Sequence, residues 1–357
     1  MRVWLLVIAL LACLPATARD ITVDQLVRMV RSSIDLRHKD KAVANALKRV
    51  TLTEKLDAST VEDLQGHGAG SRTLKELYRL MDESAQLEEA RPAAGVKRPS
   101  MPPPPPEEQE RIISEVKEFA LNYTKGLPDY ICTQVTRRYV DPNGMEFWHK
   151  VDTVTTKLTY FEQKEDYKVI LVNNRPVNMG MRELEGSTST GEFGSMMREV
   201  FEPDSQATFV WERWGKLRGK VCHVYNYFVR QENSKWSISW ERKMRVVPAY
   251  RGLVYVDRDT QMITRITLRA VNIDPSFPVQ EATTVLDFDL VKLTISGSEF
   301  MLPLKSEMRM RQGRMLVKNE TEFRLYKKFG ADATISFDTP DSLPDEMFAE
   351  EPPEPER

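Results

Sequence analysis

Ser234-Lys235-Trp236-Ser237-Ile238-Ser239-Trp240-Glu241-Arg242-Lys243-Met244-Arg245-Val246 is the stretch whose reading decides the fold. Trp236, Ile238, Trp240, Met244 and Val246 fall on every second position, and Lys235, Ser237, Ser239, Glu241, Lys243 and Arg245 take the alternate ones. A period of two belongs to a strand. One face is apolar and aromatic and the other wet, which predicts an antiparallel sheet with a single covered face lining a core or a cavity.

Outward from there the chain continues in strands. Eleven strand-like segments are expected, at 129–140, 147–161, 167–173, 207–214, 221–230, 234–246, 252–256, 262–272, 283–294, 300–311 and 314–327. Asp141-Pro142-Asn143-Gly144, Asp257-Arg258-Asp259-Thr260 and Gln312-Gly313 supply turn chemistry between them. Connections this short make neighbours antiparallel. In front of the sheet, residues 107–123 place Ile112, Ile113, Val116, Phe119, Ala120 and Tyr123 on one side of a helix that must cover something. Residues 91–106, with Pro92, Pro99 and Pro102 to Pro106, read as an extended polyproline linker.

Residues 20–90 change to helical spacing. Thr22 and Gln25, Ser59 and Glu62, and Thr73 and Glu76 have capping-box separations, each before a short amphipathic run. The fold class expected is therefore α+β: a small N-terminal all-α module, then a large antiparallel β domain over 107–338 with covering helices. Residues 339–357 are acidic and proline-rich and are expected to be a disordered tail.

The N-terminus reads as an export signal: a basic end at Arg2, an apolar run over 3–14, and Ala16-Thr17-Ala18 at a cleavage site, removing 1–18. Leu10-Leu11-Ala12-Cys13 offers a second reading, a lipid anchor on Cys13. Either places the protein in a periplasm or outside the cell, with no transmembrane span after cleavage. Cys132 and Cys222 then remain, and spacing leaves open whether they form a disulfide. The formal net charge of -2 gives no field for nucleic acid.

No stretch carries a catalytic signature, so no enzyme activity and no cofactor is expected. His38, His67, His149 and His223 are scattered one per element, which argues against a metal site and against a Ser-His-Asp site. The aromatics say more. Trp211, Trp214, Tyr225, Tyr227, Trp236 and Trp240 lie on three successive expected strands, either as plain core or as the wall of a groove for an apolar ligand. The phrase over 186–203, with Gly186, Gly191, Phe193, Gly194 and Met197, reads as a loop and short helix gating that groove.

A leading helix, a meandering sheet, an interrupting loop-helix, then Gly252-Leu253-Val254-Tyr255-Val256-Asp257 and Phe300-Met301-Leu302-Pro303 resemble the periplasmic lipoprotein-carrier (LolA-like) superfamily. The resemblance covers residues 107–338 and implies an unclosed, half-barrel-like sheet with helices inside that carries acyl chains. It implies lipid or lipoprotein as partner, with the helical module available to dock an envelope protein. The helical module, proline linker and greater length depart from the small carriers, and no functional residue carries over. The competing expectation is a scaffolding envelope protein with a filled β core and no small-molecule ligand.

Overall fold

The computed structural model describes residues 19–66, 68–88, 101–162, 164–188, 195–293, 299–328 and 342–351. The chain divides into two compact units, residues 1–93 with 144–146, and residues 94–143 with 147–357.

The first unit is built from β1 (Arg19–Ile21), α1 (Val23–Asp35), α2 (Asp40–Leu47), β2 (Val50–Leu52), α3 (Ala58–Gly66) and α4 (Ser71–Glu83). It is not purely helical: β1 and β2 pair in parallel. Leu26, Val30, Leu47, Val61, Leu64 and Leu77 form its buried side. The capping box at Thr22 is present, with Gln25 N donating to Thr22 Oγ1 and Thr22 N to Gln25 Oε1. The expected box at Thr73 is not. There the cap comes from another helix: the Asp40 carboxylate accepts from Arg72 N and Thr73 N, both at 2.9 Å. Gly70 stands at the N-cap because a Cβ there would lie 2.4 Å from Asp40 Cγ. At α3, Asp57 Oδ1 accepts from Thr60 N, so the start signal lies at Asp57 rather than Ser59.

The second unit opens with α5 (Pro106–Gly126), whose Pro106 takes the first helical position, where its missing N–H costs nothing. The strands are β3 (Tyr130–Asp141), β4 (His149–Phe161), β5 (Lys164–Val172), β6 (Arg175–Gly180), β7 (Thr208–Leu217), β8 (Lys220–Val229), β9 (Ile238–Trp240), β10 (Met244–Val246), β11 (Ala249–Asp257), β12 (Ile263–Val271), β13 (Glu281–Lys292), β14 (Glu299–Gln312), β15 (Met315–Lys328) and β16 (Glu350–Glu351). Helix α6 (Ser195–Phe201) interrupts them after β6. Twelve strands form one antiparallel sheet that does not close into a barrel, in the order β16-β7-β8-β11-β12-β13-β14-β15-β3-β4-β5-β6.

The stretch at 234–246 is not a strand of this sheet. It folds into the separate hairpin β9–β10, pairing Trp240 with Met244. Glu241 and Arg242 turn the corner with φ of 46° and 56°, and Lys243 N donates to Trp240 O at 2.9 Å. Strand β6 was not anticipated, because Pro176 sits within it; it is the sheet's edge, where a missing N–H is tolerated.

The two faces of the sheet differ. On one, α5 contributes Ile112, Val116, Ala120 and Tyr123, and α6 contributes Met196, Met197, Val200 and Phe201, to a core with Tyr225, Tyr227, Tyr250, Val254, Ile266, Leu286, Phe288 and Phe323. The other face is ionic. Asp287 on β13 accepts from Arg265 Nε and Nη2 at 2.9 and 3.0 Å and from Arg218 Nη1 at 3.1 Å. Arg137 pairs with Glu322 at 2.8 Å beside it. Cys132 belongs to the helix-bearing face and Cys222 to the outer one, packed with Leu217, Val224 and Tyr255, so the two buried thiols stand free on opposite sides.

The tail does not conform to the expectation of disorder over 342–351. Those residues lie on the outer face, with a single 3₁₀ turn at Asp345–Phe348 and β16 paired to β7.

Candidate functional site

Strand β7 would not by itself bring Trp211 and Trp214 to one face, since they stand three positions apart. A bulge between Trp211 and Arg213 does so, setting Trp211 opposite Tyr225 and Trp214 opposite His223. The indoles meet edge to face at 5.8 Å, and Trp214 lies 4.3 Å from the His223 ring. Trp211 Nε1 donates to His223 Nδ1 at 3.3 Å, which fixes the imidazole as the neutral Nε2–H tautomer. Trp214 Nε1 donates to Pro102 O at 2.9 Å. The indole thus holds the proline stretch, and Pro104 is buried.

The tyrosines expected to wall a groove hold the helices and the sheet instead. Tyr225 OH donates to Gln109 O of α5 at 2.9 Å and Tyr250 OH to Glu199 O of α6 at 3.2 Å. Tyr123 OH reaches back from α5 to Met301 O. Tyr227 OH donates to Thr267 O at 2.8 Å, where the β11–β12 ladder lacks pairs at Gly252 and Leu253. Its ring lies across Gly252, the residue directly opposite it on β11. Trp236 meets Tyr250 edge to face at 6.1 Å. Trp240 joins a different cluster, with Ile238, Ala270, Phe277, Val279 and Ala282. Trp211, Tyr225, Tyr227 and Trp236 therefore share the helix-bearing core, while Trp214 stacks on His223 and Trp240 packs in the separate cluster.

The gating segment is tethered at its start. Arg138, bonded to Asp152, donates to Glu185 O, and Asn319 Nδ2 donates to Ser187 O at 3.0 Å while Ser187 Oγ donates to Asn319 Oδ1 at 3.1 Å. Gly186, at φ +85°, packs with Arg138 Nη1 only 3.0 Å from where a Cβ would stand. Gly191, Phe193 and Gly194 lie outside the described residues. Met197 belongs to α6 and is buried.

Beneath this tether the helix-bearing face turns polar. Along β3, Tyr130 and Cys132 give way to Gln134, Thr136 and Arg138 on the same side. With Met181, Leu184, Ser187, Asn319 and Thr321 they line a cavity of about 10 Å³. Gln134 faces Thr156 directly across the β3–β4 ladder. The two residues are 2% and 0% exposed, and Gln134 Oε1 and Thr156 Oγ1 have no hydrogen-bond partner. Buried oxygens left unpaired cost about 1–3 kcal/mol each and call for an explanation. Sequence reasoning missed this pair. The signal was there: polar side chains on the positions that continue the apolar period of β3. Among the described residues no three His, Cys, Asp or Glu side chains converge as metal ligands do.

His223 gives this region a pH response. Burial first, then the charges of Arg258 and Arg111, lower its pKa from 6.5 to about 4. The unfolded chain therefore binds the proton more readily between those values, and stability falls as pH drops from 6.5 towards 4 and levels off below. After allowance for screening, the loss is about 2 kcal/mol. Urea unfolding at pH 6.5 and 4.5 is expected to show that His223→Gln flattens this part of the profile. Equal slopes for both proteins would assign the pH dependence to other groups.

No protein-family model matches the sequence, and no curated protein does. Solved structures do. The chain is similar to a DUF1329 family protein from Desulfovibrio piger, at 10% identity over 62% of this chain and 95% of that one, with a TM-score of 0.32. It is similar to a putative outer membrane lipoprotein-sorting protein domain from Vibrio parahaemolyticus, at 14% identity over 62% and 92%, TM-score 0.32. A chain of the Pseudomonas aeruginosa MucA/MucB complex matches at 11% identity over 61% and 100%, TM-score 0.18. At such identities and scores the likeness says nothing of ligand or partner.

Proposed function

We propose that this chain is a non-enzymatic cell-envelope binding protein that takes an acyl-chain ligand on the helix-bearing face of its sheet when α6 lifts away. The observation that carries the reading is the pair of unpartnered buried oxygens, Gln134 Oε1 and Thr156 Oγ1. They sit two ladder positions from Cys132 and Leu158 of the apolar core. An amphiphile with a neutral hydrogen-donating head would satisfy them and lay its tail where α6 now packs. Helix α6 suits a displaceable plug. It has seven residues, too few to be stable alone, and presents Met196 and Met197, side chains that repack readily. The apolar export-signal pattern at the N-terminus supports the envelope location.

The rival is a docking or scaffolding protein with a permanently filled core. It is favoured by the hydroxyls of Tyr123, Tyr225, Tyr227 and Tyr250, each already spent on a backbone carbonyl.

One substitution separates the two. Phe201 stacks on Phe209 at 5.1 Å and anchors α6. In the carrier reading Phe201→Ala loosens the plug, removes part of the cost of opening, and tightens binding of a dansyl-labelled long-chain acyl amide about tenfold. In the scaffold reading the same change costs about 3–5 kcal/mol of stability and neither protein binds the probe.

A further inference from the structure

The outer face of the sheet carries a site that the acyl-binding reading does not use. Residues 342–351 cross it as a strap from β15 to β7. Leu343 N donates to Glu322 Oε1 at 3.2 Å. Lys305 Nζ on β14 donates to Asp345 Oδ1 at 2.9 Å and stands 4.4 Å from the Phe348 ring centroid. Arg265 Nη2 on β12 donates to Phe348 O at 2.6 Å. Arg213 grips Glu350 with both terminal nitrogens, and Tyr255 OH donates to Glu350 Oε2 at 2.9 Å. Lys216 pairs with Glu351 at 3.2 Å, where β16 adds to the edge of β7. Gly215 leaves the room this approach requires, since a Cβ there would lie 2.7 Å from Glu350 Oε1.

Two features set this surface apart from an ordinary solvated patch. First, its cations are matched to the strap. Among the described residues, Lys216 and Lys305 form no ion pair except with Glu351 and Asp345. The acids of the same face are already committed, Asp287 to Arg265 and Arg218, and Glu322 to Arg137 and Arg324. Without the strap, Arg213, Lys216, Lys305 and Tyr255 would present a basic row with an aromatic floor. Second, the strap is lightly held. None of its described side chains is buried. Asp345 and Glu351 have side chains 87% and 50% exposed, where ion pairs are weak. Only the forked contact of Arg213 and Tyr255 with Glu350 has the geometry of a strong one.

We infer that the outer face is a docking surface for an extended acidic peptide of a partner protein, and that residues 342–351 are its resident mimic. The features read are the strap's own: an acid, an aromatic three residues on, then two acids beginning two residues later, as in Asp345, Phe348, Glu350 and Glu351. Strand addition at β7 supplies register, and the Arg213 fork supplies affinity. A strap bound in cis competes at an effective concentration on the order of millimolar, so a partner must outbid it.

The test uses the full chain, its Glu350→Lys variant and a chain ending at Asp341. The probe is a fluorescein-labelled peptide of foreign Ser/Gly sequence carrying the Asp-x-x-Phe-x-Glu-Glu pattern, followed by anisotropy. Both strap-released proteins are expected to bind it at least tenfold more tightly than wild type. Adding Arg213→Glu should abolish the gain, and raising salt from 0.05 to 0.5 M should reduce it several-fold. Equal binding of a scrambled peptide of the same charge would overturn the proposal. So would failure of the shortened chain, with an unaltered melting curve, to bind. Concentration-dependent dimers of wild type that Glu350→Lys abolishes, with no binding of the foreign peptide, would overturn it in favour of strap exchange between copies.

Discussion

Gly252→Ala is expected to destabilise the β unit by about 3–5 kcal/mol, a size reserved for a few identifiable mechanisms. The built Cβ would stand 1.8 Å from Thr267 O and 2.6 Å from Thr267 C, both backbone atoms of the neighbouring strand, and 3.0 Å from Tyr227 Cε1. No rotamer relieves a clash with backbone, so β11 and β12 must part. Parting them also breaks the Tyr227 OH to Thr267 O bond and the bond from Leu253 N to Thr267 Oγ1, both 2.8 Å. Overpacking of about 1–3 kcal/mol then adds to about 1 kcal/mol for each lost bond. Gly126→Ala is the control, since nothing lies within 4 Å of its built Cβ, and it should fall within about 1 kcal/mol of wild type. Urea unfolding of the three proteins decides the matter. A Gly252→Ala protein as stable as wild type would mean that β11 and β12 do not depend on their close approach at Gly252.

The sequence made the broad architecture legible because its signals are local. Period-two alternation and turn residues gave most of the long strands, and the Ile112, Val116, Ala120 and Tyr123 stripe gave α5. The stretch at 234–246 misled for a physical reason. Its turn puts Glu241 and Arg242 in the left-handed region, which Gly, Asn or Asp ordinarily occupies, so no residue type announced the corner. Apolar alternation ran on through a hairpin that pairs Trp240 with Met244. The tail at 342–351 misled in the opposite way. Its composition is that of a disordered segment, but its acids meet cations from β7 and β14 that are distant in sequence.

The candidate site was less legible than the fold. Aromatic content drew attention to Tyr225, Tyr227 and Trp214, and the structure gives each a backbone carbonyl to hold. A phenol or indole looks the same in sequence whether its polar end serves a ligand or a neighbouring strand. Gln134 and Thr156 each leave a buried oxygen without a hydrogen-bond partner, and only the strand register sets the two opposite each other. Trp211 and Trp214 share a face only through the bulge before Arg213, and bulges leave little trace in composition.

Asp287→Ala is expected to cost about 3–5 kcal/mol, the second large effect in the β unit. Asp287 is buried on the outer face, and the ladder places Arg265 on one side of it and Lys305 on the other. Arg218 reaches the same carboxylate from the turn between β7 and β8. Removing it leaves two guanidiniums with scarcely exposed side chains facing each other and a lysine, their shared carboxylate gone and Asp289, 3.5 Å from Arg218 Nε, left to offset only part of the charge. The penalty is thus for uncompensated buried cations rather than for lost attraction, and that distinction is testable. Asp287→Asn keeps the shape and one acceptor but not the charge, so most of the cost should persist. Replacing Arg218, Arg265 and Asp287 together by Met, Met and Leu removes the charges along with their desolvation, and the triple variant should be more stable than Asp287→Ala alone. Urea midpoints at neutral pH provide the comparison. A triple variant less stable than the single one would mean that the penalty does not come from uncompensated buried cations.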